Sequence, residues 1–441
     1  MMDTAFALPT LPARQAGWVR DVLADPELLA DLAHGVGGPY HLLYPPEFEA
    51  NVDRFRSVLD AAGVPGRVFY AKKANKAEAW ARSSAELGIG VDVASAQEIR
   101  AALGQGVRGA DLVVTGPAKP AETLRLAARQ NCLLAVDSLD ELDRVRALPE
   151  VPRVLLRCLP SASDSRFGLT EDELDTALLR CRDSSVRLVG FSFHLSGYEP
   201  TPRADLAAVL VRHCQRAREV GLPADLVSIG GGFAVDYVTE ADWRRFRADD
   251  RPERYHAGRT FDGFYPYHSP VAGADMLAAV LDTVPAGEQR TLASLLRAAN
   301  VTLALEPGRA LLDQAGVTVF TIQGVKDRGH GILTVDGTSL SLSEQWFASE
   351  FLPDPIASPS RAGRAYPACV GGASCLESDM LTWRKVVFPG RPQVGDQLMY
   401  LNTAGYQMDS NESEFHELPL PPKIVLDRDG PRLRWRLDSP A

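Results

Sequence analysis

Between Pro39 and Arg309 short apolar runs alternate with longer amphipathic stretches. A polar, partly helical lead-in reaches to about Gly37, and a first strand reads at Pro39–Tyr44. The runs that follow are Arg67–Tyr70, Gly90–Ala94, Leu112–Thr115, Leu133–Val136, Val154–Arg157, Leu188–His194, Leu226–Ile229 and Val301–Glu306. Runs of this length, bounded by turn residues, suit strands covered on both faces. The intervals between them place apolar residues at helical spacing, as in Ser95–Leu103 and Pro120–Ala128. Strand and helix repeated about eight times predict a closed parallel barrel, of the α/β class, and argue against a sandwich.

Past Arg309 the pattern changes to short β-type runs at Val317–Gly324, Gly331–Val335, Lys385–Phe388, Gln397–Leu401 and Lys423–Leu426. Turn residues separate them, which predicts a second, mainly antiparallel β domain. The Pro/Ser-rich stretch Asp354–Gly363 reads as a loop within it. Ala241–Pro270, charged and then aromatic (FDGFYPYHSP), reads as a long insertion into the barrel, and long loops at the active face of a barrel are more often functional than not.

In such barrels chemistry collects at the C-terminal ends of the strands. There this chain places Lys73, Ser95, Lys119, Asp137, Arg157, His194, Gly230 to Gly232, and Glu306 to Arg309. The segment FYAKKANK (69–76) runs from a buried strand into two lysines. Desolvation at a strand mouth disfavours the ammonium form and frees an amine to condense with an aldehyde, as on pyridoxal phosphate; a solvated basic turn would give the same text. SIGGGF (228–233) ends a strand in three glycines whose bare N–H groups suit an anion, although a flexible turn is an equal reading. LEPGR (305–309) pairs a carboxylate with glycine and arginine. Glu306 could hold a protonated pyridine nitrogen while Gly308 and Arg309 approach a phosphate. GFSFHLSGY (190–198) offers His194 for ring stacking and Ser196 as a phosphate donor. In the β region Cys375, Asp379 and Tyr406 are the polar candidates.

Length and composition narrow the classes. The 441 residues suffice for a large core and two domains, and a net charge of −10 without a basic run argues against nucleic acid as a partner. The six cysteines stand apart without CxxC pairs, which suits a reducing compartment and no metal site. MMDTAFALPTLPARQAGW lacks a charged n-region followed by a long apolar stretch, and no apolar run is long enough to span a bilayer. The expectation is a cytoplasmic protein without a membrane partner.

In this order the segments resemble the fold-type III pyridoxal-phosphate decarboxylases, the diaminopimelate, ornithine and arginine decarboxylases of the alanine racemase-like barrel superfamily. YAKKAN matches the family's lysine motif, which makes Lys73 rather than Lys72 the point of covalent attachment. VDVASAQEI, SRFGL, SIGGGF and LEPGR match further motifs, and Tyr406 in AGY matches a phosphate-binding tyrosine. The resemblance implies a homodimer in which Cys375 and Asp379 reach the partner's site. It also implies that the N-terminal strand joins the C-terminal region, giving a barrel over 46–310 and a β domain of 1–45 and 311–441. The implied reaction is decarboxylation of an amino acid, with Lys73, Glu306, His194 and Cys375 as catalytic residues. Lys73, His194, Ser196, Gly230, Gly231, Gly232, Glu306, Gly308, Arg309 and Tyr406 would hold the cofactor, and Asp379, Glu377 and Arg309 would meet the substrate. Two departures stand out. The histidine is followed by Leu-Ser-Gly where the family places Gly-Ser one residue later, and Leu376 replaces the acid that follows the motif cysteine. A buried leucine there would leave a distal ammonium unpaired, so a bulkier or conjugated amino acid is expected, of the kind found in siderophore or antibiotic pathways. An amino-acid racemase and a catalytically silent, partner-binding homologue are the alternatives; a racemase usually sets arginine against the pyridine nitrogen, where this chain has Glu306.

Overall fold

The structure is a computed structural model that describes residues 8–160, 164–344, 347–409, 411–430 and 432–439. It separates into two compact units, one of 49–234 with 271–311 and one containing the described parts of 1–48, 235–270 and 312–441.

The first unit is built on a closed eight-stranded parallel barrel. With β1 at Tyr40–Leu43 in the other unit, the barrel strands are β2 (Gly66–Ala71), β3 (Gly90–Val93), β4 (Leu112–Val114), β5 (Leu133–Val136), β6 (Arg153–Arg157), β7 (Arg187–Ser192), β8 (Leu226–Ser228) and β9 (Thr302–Leu305), and β9 closes on β2 with Val68 opposite Leu305. One side chain from each of seven strands meets inside: Phe69, Val113, Leu133, Leu155, Val189, Leu226 and Ala304. That layer makes the interior a packed core, so ligands are confined to its rim. Polar caps start the helices that follow the strands. Ser95 accepts from the Glu98 amide, Ser138 from that of Glu141, and Thr170 and Glu173 form a reciprocal capping box.

The second unit carries β1, β10 (Gly316–Asp327), β11 (Gly331–Val335), β12 (Ile356–Ser358), β13 (Tyr366–Gly371), β14 (Met380–Phe388), β15 (Gln397–Leu401), β16 (Lys423–Asp429) and β17 (Arg432–Leu437). They form one sheet in the order β14-β13-β11-β10-β1-β16-β17, with β15 joined to β10 and β12. Pairing is antiparallel except for β1 with β16 and β11 with β13. The lead-in helices Gly17–Leu23 and Pro26–Val36 bury Trp18, Val22, Leu29 and Leu32 against Leu42, Val317 and Ile424 of this sheet.

The segment 235–270, expected as part of the barrel, groups instead with the β unit. The cause is aromatic packing. Tyr237 lies edge-on to Tyr265, Tyr267 and Phe351 at centroid distances of 5.6, 5.4 and 5.9 Å, and all four rings are buried. No helix among the described residues is long and apolar enough to cross a membrane.

Candidate active site

At the C-terminal rim of the barrel lies a cavity of about 250 Å³ lined by Lys73, Asp92, Thr115, Arg157, Phe167, His194 and Glu306, among others. Each stands on a strand end or in the turn just beyond it. β2 runs into the short 3-10 turn Lys72–Ala74, which turns the two lysines apart. Lys72 is buried and its Nζ donates to the Lys76 carbonyl at 2.8 Å, whereas Lys73 opens into the cavity with Nζ 3.5 Å from Asp92 Oδ2. Lys73, and not Lys72, is thus the lysine that lines the cavity. Its side chain is 53% exposed, however, so the expected desolvation does not mark it; the buried carboxylate of Asp92 does. Asp92 is fixed in turn by the Thr115 hydroxyl at 2.5 Å.

Glu306 faces the same cavity, with Oε1 accepting from Ser228 Oγ at 2.6 Å. Burial, and next the charge of Asp92, push its carboxyl up to about 7, against the pull of Ser228, Lys73 and Arg157. His194 lines the same cavity and is exposed there. Packing of protein atoms around it, followed by the charges of Lys73, Arg157 and Arg203, pulls its pKa down to about 4, which leaves the imidazole neutral at physiological pH. Arg157 pairs with Asp137 at 3.3 Å and lies over the Phe167 ring at 4.4 Å, so the SRFGL turn is clasped to the end of β6. Gly168 of that turn, at φ +96°, also donates to Asp137.

The glycine run is needed for close approach. Gly230 and Gly232 sit at φ +66° and +80°, and a Cβ on Gly231 would lie 2.6 Å from the Glu306 carbonyl oxygen. A Cβ on Gly232 would strike the Arg203 guanidinium. Arg203, on the helix Pro200–Glu219, is 1% exposed and donates through Nη2 to the carbonyls of Leu195, Gly197 and Gly232 at 3.3, 2.5 and 3.2 Å. It therefore ties the His-Leu-Ser-Gly loop to the glycine run. Its Nε and Nη1 are buried without a partner among the described residues, and burial pulls its pKa down to about 10. Ser196 is exposed on the loop so held, and Gly308 and Arg309 lie buried at the end of β9.

The remaining candidates belong to the β unit. Cys375 is exposed, with Sγ 3.2 Å from His416 Nε2. Leu376, expected to be buried, is 49% exposed. Asp379 is buried and its two oxygens accept from the Ser339 and Ser374 amides at 2.7 and 3.0 Å, which makes it a clasp of its own turn rather than a free substrate anchor. Glu377 lines a separate cavity of about 420 Å³ with Arg259, Phe261, Glu350 and Trp383, so part of the aromatic insertion does border a pocket. Tyr406 holds φ +76°, an uncommon backbone for a tyrosine and a frequent mark of functional positions.

Lys119 and Asp137, placed at strand ends with the chemistry-bearing residues, act structurally. Lys119 Nζ, 1% exposed, pairs with the fully buried Glu141 at 3.1 Å, and that carboxylate also accepts from the Lys119 and Asp137 amides. Asp92, Ser228 and Arg203 were not singled out from sequence. Asp92 is the one polar residue inside the VDV strand text, which was its signal, whereas nothing in a helical PTPRADL marks Arg203 as buried.

The pocket chemistry fits a phosphorylated aldehyde cofactor. It holds an amine, a carboxyl whose pKa is raised toward neutrality, a neutral imidazole, and beside them an anion cradle that a Cβ would fill and behind which two guanidinium nitrogens have no partner among the described residues. Residues 47–249 match the family model of the pyridoxal-dependent decarboxylase, pyridoxal binding domain. The chain is 38% identical over 417 residues to the uncharacterized protein y4yA of Sinorhizobium fredii, covering 91% of this chain and 90% of that one. It is 27% identical over 428 residues to the diaminopimelate decarboxylase of Actinosynnema pretiosum, with 91% and 86% covered. The lysine/ornithine decarboxylase of Vibrio vulnificus, solved with cadaverine, superposes with a TM-score of 0.72 at 18% identity over 91% of this chain and 96% of the other. By fold, motifs and relatives together, this chain belongs to the fold-type III pyridoxal-phosphate-dependent decarboxylases.

Proposed function

We propose that the protein is an amino-acid carboxy-lyase that works as a homodimer. The observation that carries the reading is the convergence of Lys73, neutral His194 and Glu306 on one cavity at the barrel rim. Bound pyridoxal phosphate supplies an electron sink for the pair left when carbon dioxide departs. Lys73 is the amine that holds it, with Asp92 keeping that amine in place. Glu306, steadied by the Ser228 hydroxyl and with its carboxyl pushed up to about 7, would share a proton with the ring nitrogen at neutral pH. His194 offers an uncharged face for stacking. The amides of Gly230 to Gly232, with Ser196, Gly308 and Arg309, would hold the phosphate.

Cys375 returns the proton to the substrate carbon from the second copy. An exposed thiol beside an exposed Leu376 supports a face that is covered in a dimer, since an isolated chain gains nothing from presenting that pair to water. Leucine follows the motif cysteine, Asp379 is held by the Ser339 and Ser374 amides, and Glu377 lines a separate cavity, so the acid that would meet a distal ammonium directly after the cysteine is replaced. We therefore assign a substrate larger or less basic at its far end than lysine, ornithine or diaminopimelate, such as a conjugated amino acid of a siderophore or antibiotic pathway. The test is carbon dioxide release from purified protein incubated with free and conjugated amino acids. Release from a conjugate but not from free basic amino acids is expected; turnover of lysine, ornithine or diaminopimelate in preference to every conjugate would overturn the substrate assignment. Racemised substrate in deuterated water without gas release would replace the lyase by a racemase.

A further inference from the structure

We propose that His256, His330 and Cys369 form a binding site for a divalent cation of the zinc class, separate from the cavity around Lys73. The three residues come from three places in the β unit. His256 sits in the turn His256–Gly258 of segment 235–270, His330 precedes β11, and Cys369 lies on β13, which runs parallel to β11 with Cys369 opposite Ile332. Folding brings one nitrogen of each ring and the sulfur within 4.8 Å of one another. The two histidines meet ring nitrogen to ring nitrogen, His256 Nδ1 to His330 Nε2, at 3.2 Å.

Bond lengths decide the class of ion. Zinc bound at ~2.0–2.1 Å to nitrogen and ~2.3 Å to sulfur, at tetrahedral angles, puts neighbouring donors about 3.3–3.6 Å apart. The nitrogens already stand at that separation, and the sulfur needs a shift of at most about 1.5 Å to join them. Two imidazoles and a thiol are borderline-to-soft donors, which select zinc over magnesium or calcium, ions that require oxygen. Without an ion the thiol donates weakly to the Gly331 carbonyl at 3.5 Å, and one imidazole proton serves the ring-to-ring bond. Binding displaces the Cys369 proton to solvent and replaces both contacts with three metal bonds. His256 and His330 are half-buried while Cys369 is fully buried, so the ion enters from the histidine side and water completes the fourth position. The ion would fasten segment 235–270 to the β10–β11 turn, where Ala257 is held at φ +51° directly after His256.

The experiment uses tag-free protein stripped with a chelator and titrated with cobalt(II), then zinc(II). One equivalent of cobalt with a near-ultraviolet thiolate-to-metal band, displaced by one equivalent of zinc, is expected. His256→Gln and His330→Gln should each weaken binding by about a hundredfold or more, and Cys369→Ser should remove the band. Lys73→Ala should bind the metal as the parent does. Absence of a stoichiometric site, a cobalt spectrum without the thiolate band, or unchanged affinity in both histidine variants overturns the proposal. Should Cys369→Ser not fold, His256→Gln on its half-exposed turn decides alone.

Discussion

Glu306 is destabilising by construction, and Glu306→Gln makes that measurable. In the cofactor-free protein burial lifts its carboxyl from the ordinary 4.5 to about 7, with the charge of Asp92 adding to the rise. The folded state therefore binds this proton more tightly than the unfolded chain does. Stability from that preference is fully present below pH 4.5 and is lost as pH rises through 7. At about 1.4 kcal/mol per pKa unit, the loss amounts to about 3 kcal/mol. Glutamine has no proton to give up, and its carbonyl still accepts from Ser228 Oγ. The stability difference between variant and parent should thus be small at pH 4.5 and grow to about 3 kcal/mol in favour of glutamine at pH 8. Urea unfolding of both proteins, without cofactor, followed by far-ultraviolet circular dichroism at intervals across that range, reads it. Titrating groups that do not interact with Glu306 cancel in the difference, including Glu350, which burial also pushes up to about 7. A difference that stays flat with pH, or a variant less stable at pH 8, would refute the reasoning. The same variant should lose nearly all turnover, because a neutral amide cannot hold a proton on the ring nitrogen; a group kept at such a cost to the fold is kept for function.

Three further outcomes follow from the same geometry. Lys119→Met should cost about 3–5 kcal/mol in urea unfolding by leaving Glu141 charged and buried, and adding Glu141→Leu should recover much of it; a loss under about 1 kcal/mol would show the pair to be idle. Arg203→Met should weaken pyridoxal phosphate binding by about tenfold or more in an absorbance titration while pyridoxal, which lacks the phosphate, changes little, because the guanidinium holds both loops of the anion cradle; equal losses for the two ligands would make Arg203 a general structural residue. Cys375→Ala should slow or misdirect the return of the proton to product in deuterated water while cofactor affinity stays at the parental value, and parental rates would remove the thiol from the scheme.

The barrel was legible because nearly all of its strands are short runs rich in valine and leucine between amphipathic helices, and such runs have few other uses in a chain this long. The second unit was harder to read. β13, YPACVG, carries proline and glycine, and β17, RLRWRL, alternates charge with apolar side chains, so neither stands out by hydrophobicity. Segment 235–270 follows β8 in the chain and was read as an insertion into the barrel by continuity, whereas the packing of its buried Tyr237 and Tyr267 against Phe351 decides its place. His194 lies two residues beyond the end of β7 at Ser192, which puts its ring over the rim rather than inside the wall. In the site, motifs exposed the residues whose identity is set by chemistry, Lys73, the glycines and Glu306. They did not expose Ser228, Asp92 and Arg203, which set the charge and position of those groups from behind, through contacts that exist only once strands far apart in sequence lie side by side.

The central claim is that one amine, on Lys73, carries the cofactor. Mixing the purified protein with pyridoxal phosphate, reducing with borohydride and mapping the peptides tests it directly. Stoichiometric labelling on Lys73, abolished by Lys73→Ala, is expected, with Lys72 left unmodified behind its bond to the Lys76 carbonyl. Label on Lys72 or Lys119, or no specific label at all, would contradict it.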